Sequence, residues 1–452
     1  MASRIRSAVA PLYLFACLIL GGSAQGVWQN MVLQLAGVAI IAWSLAVQTD
    51  QPQAAAAKPL LVLAIVSVVV VGLQLVPLPP AVWARGVRAY LAQGFAILGH
   101  PVPARPLSLT PYESISALLC LIPPIAIFCA ISRLRPYRPD LLVFALLAGT
   151  VAGILLGALQ VSSAADSSPW YLYPETNRGL AVGFFANANH MASLLVICLP
   201  FVAALAARGM SGSVQRRSAV LMVLAAGGLV LVVGIALNGS LAGYSLAVPV
   251  IAASALILLP PRSRGRKAAV FVGALSIVAA VAALATSSIG GTRIGQDATT
   301  SVQSRQQILA TTGRAIADYM PFGSGLGSFV RIYRTYESPD AVSNEYVIHA
   351  HNDYAELTLE LGVAGVVLIL LFLGWWVVAV LAVWRMGRGG AFARAASIAS
   401  AAVLVHSLVD FPLRTAAISA CFAMCLALLA EPRAPPRQES GDLRPTRHIV
   451  VG

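Results

Sequence analysis

Apolar runs of about 17–25 residues recur along this chain, each long enough to cross a bilayer as a helix. They fall at 9–23, 31–48, 59–79, 114–131, 141–160, 183–207, 219–237, 241–260, 268–287, 361–384, 395–411 and 414–430. The runs are continuously apolar rather than alternating, which argues against the short two-faced strands of a membrane barrel. The pattern predicts an all-α, polytopic integral membrane protein with about 12 transmembrane helices. One stretch breaks it. Between Ser287 and Leu361 the chain turns polar, charged and aromatic, which predicts one large loop at 288–360. The chain then divides into nine spans over 1–287, the loop over 288–360, three spans over 361–430, and a Pro- and Arg-rich tail over 431–452 whose composition predicts disorder.

Composition supports this division. The 452 residues are 58% hydrophobic and 10% charged, with a mean hydropathy of +0.82, whereas a soluble domain carries roughly 25% charged residues. The net charge of +13 would suit a nucleic-acid binder, but its placement argues otherwise. Alternate connections hold 20 of the 30 basic residues with five acids, and the opposite set holds the other ten with twelve acids. Lys and Arg are retained on the cytoplasmic side, so both termini are expected in the cytoplasm. Residues 80–113, 161–182 and 288–360 then face outward. Arg4 and Arg6 before an apolar run resemble a signal sequence, but no cleavage site follows, and the run is read as the first helix. The six cysteines sit in apolar segments without metal-ligand spacing, so neither disulfide nor zinc is expected.

Candidate chemistry concentrates in the large loop. Residues 302–319 read as an amphipathic helix. Arg305 falls on its apolar face with Ile308, Leu309, Thr312 and Ile316, where a cation needs an anion to meet it. Arg314 lies on the opposite face, beside Asp318. Next comes Pro321-Phe-Gly323-Ser-Gly325-Leu-Gly327, a tight turn open to close approach of backbone or ligand and lacking the Lys of a phosphate-binding loop. In His349-Ala-His351-Asn352-Asp353-Tyr-Ala-Glu356, Asp353 and Glu356 read as a capping box starting a helix that continues into the next span. Extended backwards, that helix would put His349, Asp353, Glu356 and Glu360 on one face. His351 would then face the small residues Ala355, Thr358, Gly362 and Gly365. An imidazole there suits a general base; a residue of plain loop structure is the main competing reading, and a metal site is disfavoured because His-x-His on a helix points the two rings apart. Elsewhere, Arg178 and the amides Asn187 and Asn189 gather at the outer end of a span, where His190 reads as a partner in helix–helix hydrogen bonding. His406 and Asp410, one turn apart, read as partners of each other or of Arg414.

Together these motifs resemble the O-antigen ligase/polymerase superfamily: Arg178 with Gly183-Phe-Phe-x-Asn-x-Asn189, Ser304-Arg305, Pro-x-Gly-x-Gly-x-Gly-Ser-Phe329, His-Ala-His351-Asn352-Asp-Tyr354 and Asp410-Phe-Pro-Leu-Arg414. The resemblance implies a metal-independent glycosyltransferase of the bacterial inner membrane without a cofactor. Such an enzyme takes a glycan from undecaprenyl diphosphate and passes it to an acceptor sugar on the periplasmic face. It implies catalytic roles for His351 and Arg305, with Arg178, Asn189, Asn352, Gly325 and Arg293 binding substrate. One departure stands out. Relatives carry Ser-Arg-Gly at the outer start of a middle span, and this chain reads Ser240-Leu241-Ala-Gly243. A polysaccharide polymerase is favoured slightly over a ligase to lipid A-core. A flippase for the same lipid is the alternative from another class, but no internal repeat and no midplane polar cluster supports it.

Overall fold

The computed structural model describes residues 2–23, 26–47, 54–134, 138–163, 168–210, 214–259, 263–265, 267–268, 270–273, 275, 293–342, 346–385 and 390–431. Among these residues the fold is helical throughout, apart from one isolated bridge between Leu78 and Arg105. Among the described residues, eight helical segments are long and apolar enough to cross a membrane, the broken pair at 111–133 counted as one, and the protein is a polytopic helical membrane protein. The predicted span at 268–287 lies largely outside the described residues, as does the tail after Glu431.

The bundle begins with α1 (Ala2–Leu20), α2 (Trp28–Ala46) and α3 (Ala57–Leu75). Two short helices follow, α4 (Pro80–Trp83) and α5 (Ala89–Ile97). The predicted span at 114–131 is two helices, α6 (Pro111–Leu119) and α7 (Ile122–Arg133). The interruption at Cys120–Leu121 precedes Pro123-Pro124, whose missing N–H groups cannot bond back to the preceding turn. Then come α8 (Pro139–Ser162), α9 (Ala188–Gly209), α10 (Val214–Asn238) and α11 (Leu241–Leu258).

Helix α9 is the axis. Its most apolar window is 83% buried, against 11% for α3 and 17% for α10. A helix apolar on every face is stable only where every face is covered, and α9 packs on α8, α10 and α11. It also packs on α15 (Ala391–His406), which with α16 (Ala416–Ala430) replaces the predicted spans 395–411 and 414–430. Both are shorter than predicted because residues 407–415 fold into a turn around Pro412.

The polar stretch folds into α12 (Arg293–Tyr319) and α13 (Phe329–Tyr336), then runs into α14 (Asp353–Arg385). Ile308, Ala315, Tyr319, Phe329, Ile332, Tyr333 and Leu359 form a small core of their own. α14 breaks at Gly362, where φ is 62°. The break frees backbone groups that must find partners, and the glycine turn supplies them. Ser324 N donates to Leu359 O at 2.9 Å, Gly325 N to Glu360 O at 2.9 Å, and Val363 N to Pro321 O at 2.9 Å. Gln74 of α3 braces the same junction, donating to Phe322 O and Glu360 O. A side chain on Gly325, at φ 108°, would run into Ser108. These glycines therefore serve close backbone packing.

Candidate active site

The site lies at one end of the bundle, where the start of α9, the end of α15 and the polar stretch converge. Its centre is Asp410, fully buried in the turn after α15. Asp410 Oδ2 accepts from Asn189 Nδ2, and Oδ1 accepts from the Phe411 backbone N–H at 2.9 Å. Three cationic or potentially cationic groups surround it: His351 Nδ1 at 3.4 Å, His406 Nε2 at 3.9 Å and Arg305 Nη2 at 4.0 Å. Burial raises the carboxyl pKa, but His351, His190 and His406 outweigh it and hold Asp410 well below the usual carboxylate range. Asp410 is an anion at neutral pH.

Local structure fixes each neighbour. Asn189 sits in the first turn of α9, where Asn187 caps the helix by accepting from Asn189 N at 2.8 Å. Its amide oxygen accepts from Ser240, which caps α11. Ser193, one turn along α9, meets His406 Nδ1 at 2.7 Å. His351 has φ 49°, the only positive value at a non-glycine among the described residues. That conformation costs roughly 1–3 kcal/mol and marks a position that the surroundings hold in place. Phe411 supplies part of that restraint, because His190, His349 and His351 all pack against its ring at 4.2–5.1 Å.

A second cluster backs the first. Arg414 approaches Glu356 at 3.2 Å and Asp353 and Glu360 at 3.4 Å each. Burial opposes its charge, but Glu356, Glu360 and Asp353 outweigh burial and keep the guanidinium protonated. The three carboxylates find further donors: Ser407 to Asp353, the Ala350 N–H to Glu356 and the Gly327 N–H to Glu360. His349 Nδ1 lies 2.8 Å from Glu356. Through these contacts Arg414 ties the glycine turn, the His349–His351 segment and α16 into one unit.

Several sequence expectations need correction. The helix after His351 is capped by Asn352, whose Oδ1 accepts from Ala355 N at 2.9 Å, and not by Asp353. His351 therefore lies outside the helix, and the helical register that would set it against Ala355, Thr358, Gly362 and Gly365 does not apply. Asp353, Glu356 and Glu360 do share a face, which Arg414 occupies. Arg414 does not pair with Asp410. His190 leaves Nε2 without a hydrogen-bond partner and packs edge-on to Phe411 instead of bonding between helices.

The expected site residues separate into groups. Arg305, His351 and Asn189 converge on Asp410. Asn352 uses both ends of its amide within the protein, on Ala355 N and Leu408 O. Gly325 is buried against Ser108. Arg178 is exposed, 5.5 Å above the Tyr171 ring, although its neighbour Asn177 caps α9 through Ala188 N. Arg293 begins α12, but its side chain lies outside the described residues. Arg314 is exposed as expected, yet it bonds to Thr311 and Tyr336 O, while Asp318 accepts from Tyr336. Sequence reasoning underrated Asp410 and missed Ser240 and Ser193. The available signal was an acid at the end of an apolar helix.

These features define a helical membrane protein with a buried acid–histidine–arginine cluster at one end of its bundle. Residues 226–370 match the family model described as O-Antigen ligase. This region is O-antigen ligase-related, in keeping with the motifs, and members of that family are glycosyltransferase-like enzymes of bacterial polysaccharide biosynthesis. The match includes Ser240, Arg305 and His351. Asn189, Asp410 and Arg414 complete the cluster from helices and turns outside it. No curated protein matches the chain.

Proposed function

We propose that the protein is an inner-membrane glycosyltransferase with twelve spans, cytoplasmic termini and its site on the periplasmic face. It transfers a glycan from undecaprenyl diphosphate to an acceptor sugar and extends a surface polysaccharide. The observation that carries this reading is the convergence of Arg305 and His351 on the buried anion Asp410. Arg305 keeps 27% of its side chain exposed, and its 4.0 Å approach to Asp410 is too long for a hydrogen bond. Its N–H donors remain free for an incoming diphosphate, which a guanidinium fork matches. With the proton on Nδ1, toward Asp410, the His351 ring presents an unprotonated Nε2 to an acceptor hydroxyl. As the hydroxyl oxygen bonds to the anomeric carbon, Nε2 takes its proton. The bond to the diphosphate breaks, its electrons pass to the departing oxygen, and Arg305 stabilises that charge. Asp410 orients the imidazole and stabilises it once protonated. Arg178, exposed near the start of α9, is assigned the part of second cation for the diphosphate that Leu241 leaves open, with Arg293 the other candidate.

Polymerisation is favoured by the likeness of Asp410-Phe-Pro-Leu-Arg414 to polysaccharide-building relatives. Ligation of finished glycan to lipid A-core is the second reading, favoured by the description of the matched family. The lipids that accumulate when the protein is removed from its host distinguish the two. Single repeat units on the carrier mark a polymerase, and polymer on the carrier marks a ligase. If neither accumulates, both readings are wrong.

A further inference from the structure

The segment from Val76 to Thr110 leaves the site end of α3 and returns to α6 without crossing the bundle. Its base is closed by the bridge between Leu78 and Arg105, with hydrogen bonds of 2.9 and 3.0 Å in the two directions. Its inner side is anchored. Trp83 is buried and donates to Pro103 O, and Arg88 donates to Leu107 O and to Gly323 O of the glycine turn. Its outer side is not anchored. None of the nine residues of α5 is buried, although they carry no charge, and Ile97 and the following Leu98 are 85% and 70% exposed.

Leaving such a surface in water forgoes about 25 cal/mol per Å² of apolar area. Two observations identify what covers it. First, the exposed apolar surface is continuous in sequence with that of the span leading into it. Val69 and Leu73 are exposed on α3 and Val76 just after it, and only 11% of the most apolar window of α3 is buried within the protein. A spanning helix so little buried faces acyl chains. Second, the charge around the lobe is of one sign. No acid occurs between Asp50 and Glu113, while Arg85, His100 and Arg105 flank the apolar stretch and are exposed. Arg105 lies over the Phe95 ring at 5.8 Å. Tyr90, within α5, is exposed on the same helix. An apolar helix edged by arginine and tyrosine has the composition of an element that rests in the headgroup region of a bilayer.

We propose that α5 and the turn after it lie in the membrane interface at the site end of the bundle, with Ile97 and Leu98 among acyl chains and Arg85 and Arg105 at lipid phosphates. Through Arg88 this lipid-seated lobe is joined to the glycine turn.

The test is independent of glycosyl transfer, so its outcome stands apart from the functional reading. Ile97→Cys, in a background with Cys120→Ser, is labelled with an environment-sensitive fluorophore and placed in nanodiscs of phosphatidylethanolamine and phosphatidylglycerol. Quenching by lipids spin-labelled high on the acyl chain is compared with quenching by aqueous iodide. Arg334→Cys on the exposed face of α13 serves as the water-accessible control. The expected result is acyl-chain quenching several-fold stronger than iodide quenching at Ile97, with the reverse at Arg334. Iodide quenching at both positions would overturn the proposal. Shielding of Ile97 from both quenchers would also overturn it, in favour of cover by a second copy or another protein.

Discussion

Asp410→Asn keeps the shape of the side chain and removes its charge. The amide has a single oxygen, so it keeps the contact with the Phe411 N–H or with Asn189 Nδ2 but not both, while the matched shape gives the turn at 407–415 no steric reason to rearrange. What is lost is the anion 3.4 Å from His351 and 4.0 Å from Arg305. An interaction with a charged partner contributes about 1.5–3 kcal/mol. It matters most when the imidazole carries the proton taken from the acceptor, so the loss falls on the transition state. Transfer should slow by about ten- to a hundredfold in kcat, with little change in donor KM. Asp410 itself is held below the ordinary carboxylate range, so it stays ionised over the working range and its own titration does not shape the pH profile. Its contribution to stability is present above the unfolded carboxylate value and is lost only as pH falls through the lowered folded value. The assay is transfer by purified protein from a polyprenyl-diphosphate donor. Unchanged kcat in a folded Asp410→Asn protein would refute the role assigned to Asp410.

Other outcomes follow from the surrounding structure. Arg414→Ala leaves Asp353, Glu356 and Glu360 buried without their cation and should destabilise the fold by about 3–5 kcal/mol; thermal unfolding in detergent measures this, and an unchanged Tm would contradict it. Gly362→Ala sets a Cβ against the Pro321 carbonyl at a backbone angle that disfavours side chains, so loss of folded protein by size-exclusion profile is expected. Arg305→Ala should abolish transfer, whereas Arg314→Ala, on an exposed side chain, should leave kcat unchanged and alter stability by less than about 0.5 kcal/mol. Equal effects of the two arginine substitutions would remove the distinction drawn from the helical faces.

Much of the fold was legible because the signal was local. Long apolar runs mark spanning helices whatever their partners, and Arg305 could be separated from Arg314 by helical periodicity alone. Ile308 and Thr312 are buried in agreement with that periodicity, whereas Leu309, placed on the same face, is 43% exposed. What could not be read depended on contacts distant in sequence. Asp410 meets Asn189 across more than two hundred residues, and nothing near either position announces the pairing. Arg414 meets Asp353, Glu356 and Glu360 and not Asp410, its neighbour in sequence, because the turn before α16 presents it to the start of α14. The register of His351 was misread for a local reason: Asn352 and Asp353 are both good caps, and the earlier one won. The glycine turn could be read only as a close approach of backbone or of ligand, because the partner that decides it, the broken helix at Gly362 with its unpaired backbone, lies some forty residues on.

The central claim is that His351, held in a left-handed conformation beside Asp410, activates the acceptor hydroxyl. The most direct measurement is single-turnover transfer by purified protein in nanodiscs, with a polyprenyl-diphosphate-linked glycan and its acceptor, comparing the native chain with His351→Ala. Loss of a general base should lower the rate about 10²–10⁴-fold while donor binding persists. A His351→Ala protein that binds donor and transfers at the native rate would contradict the assignment.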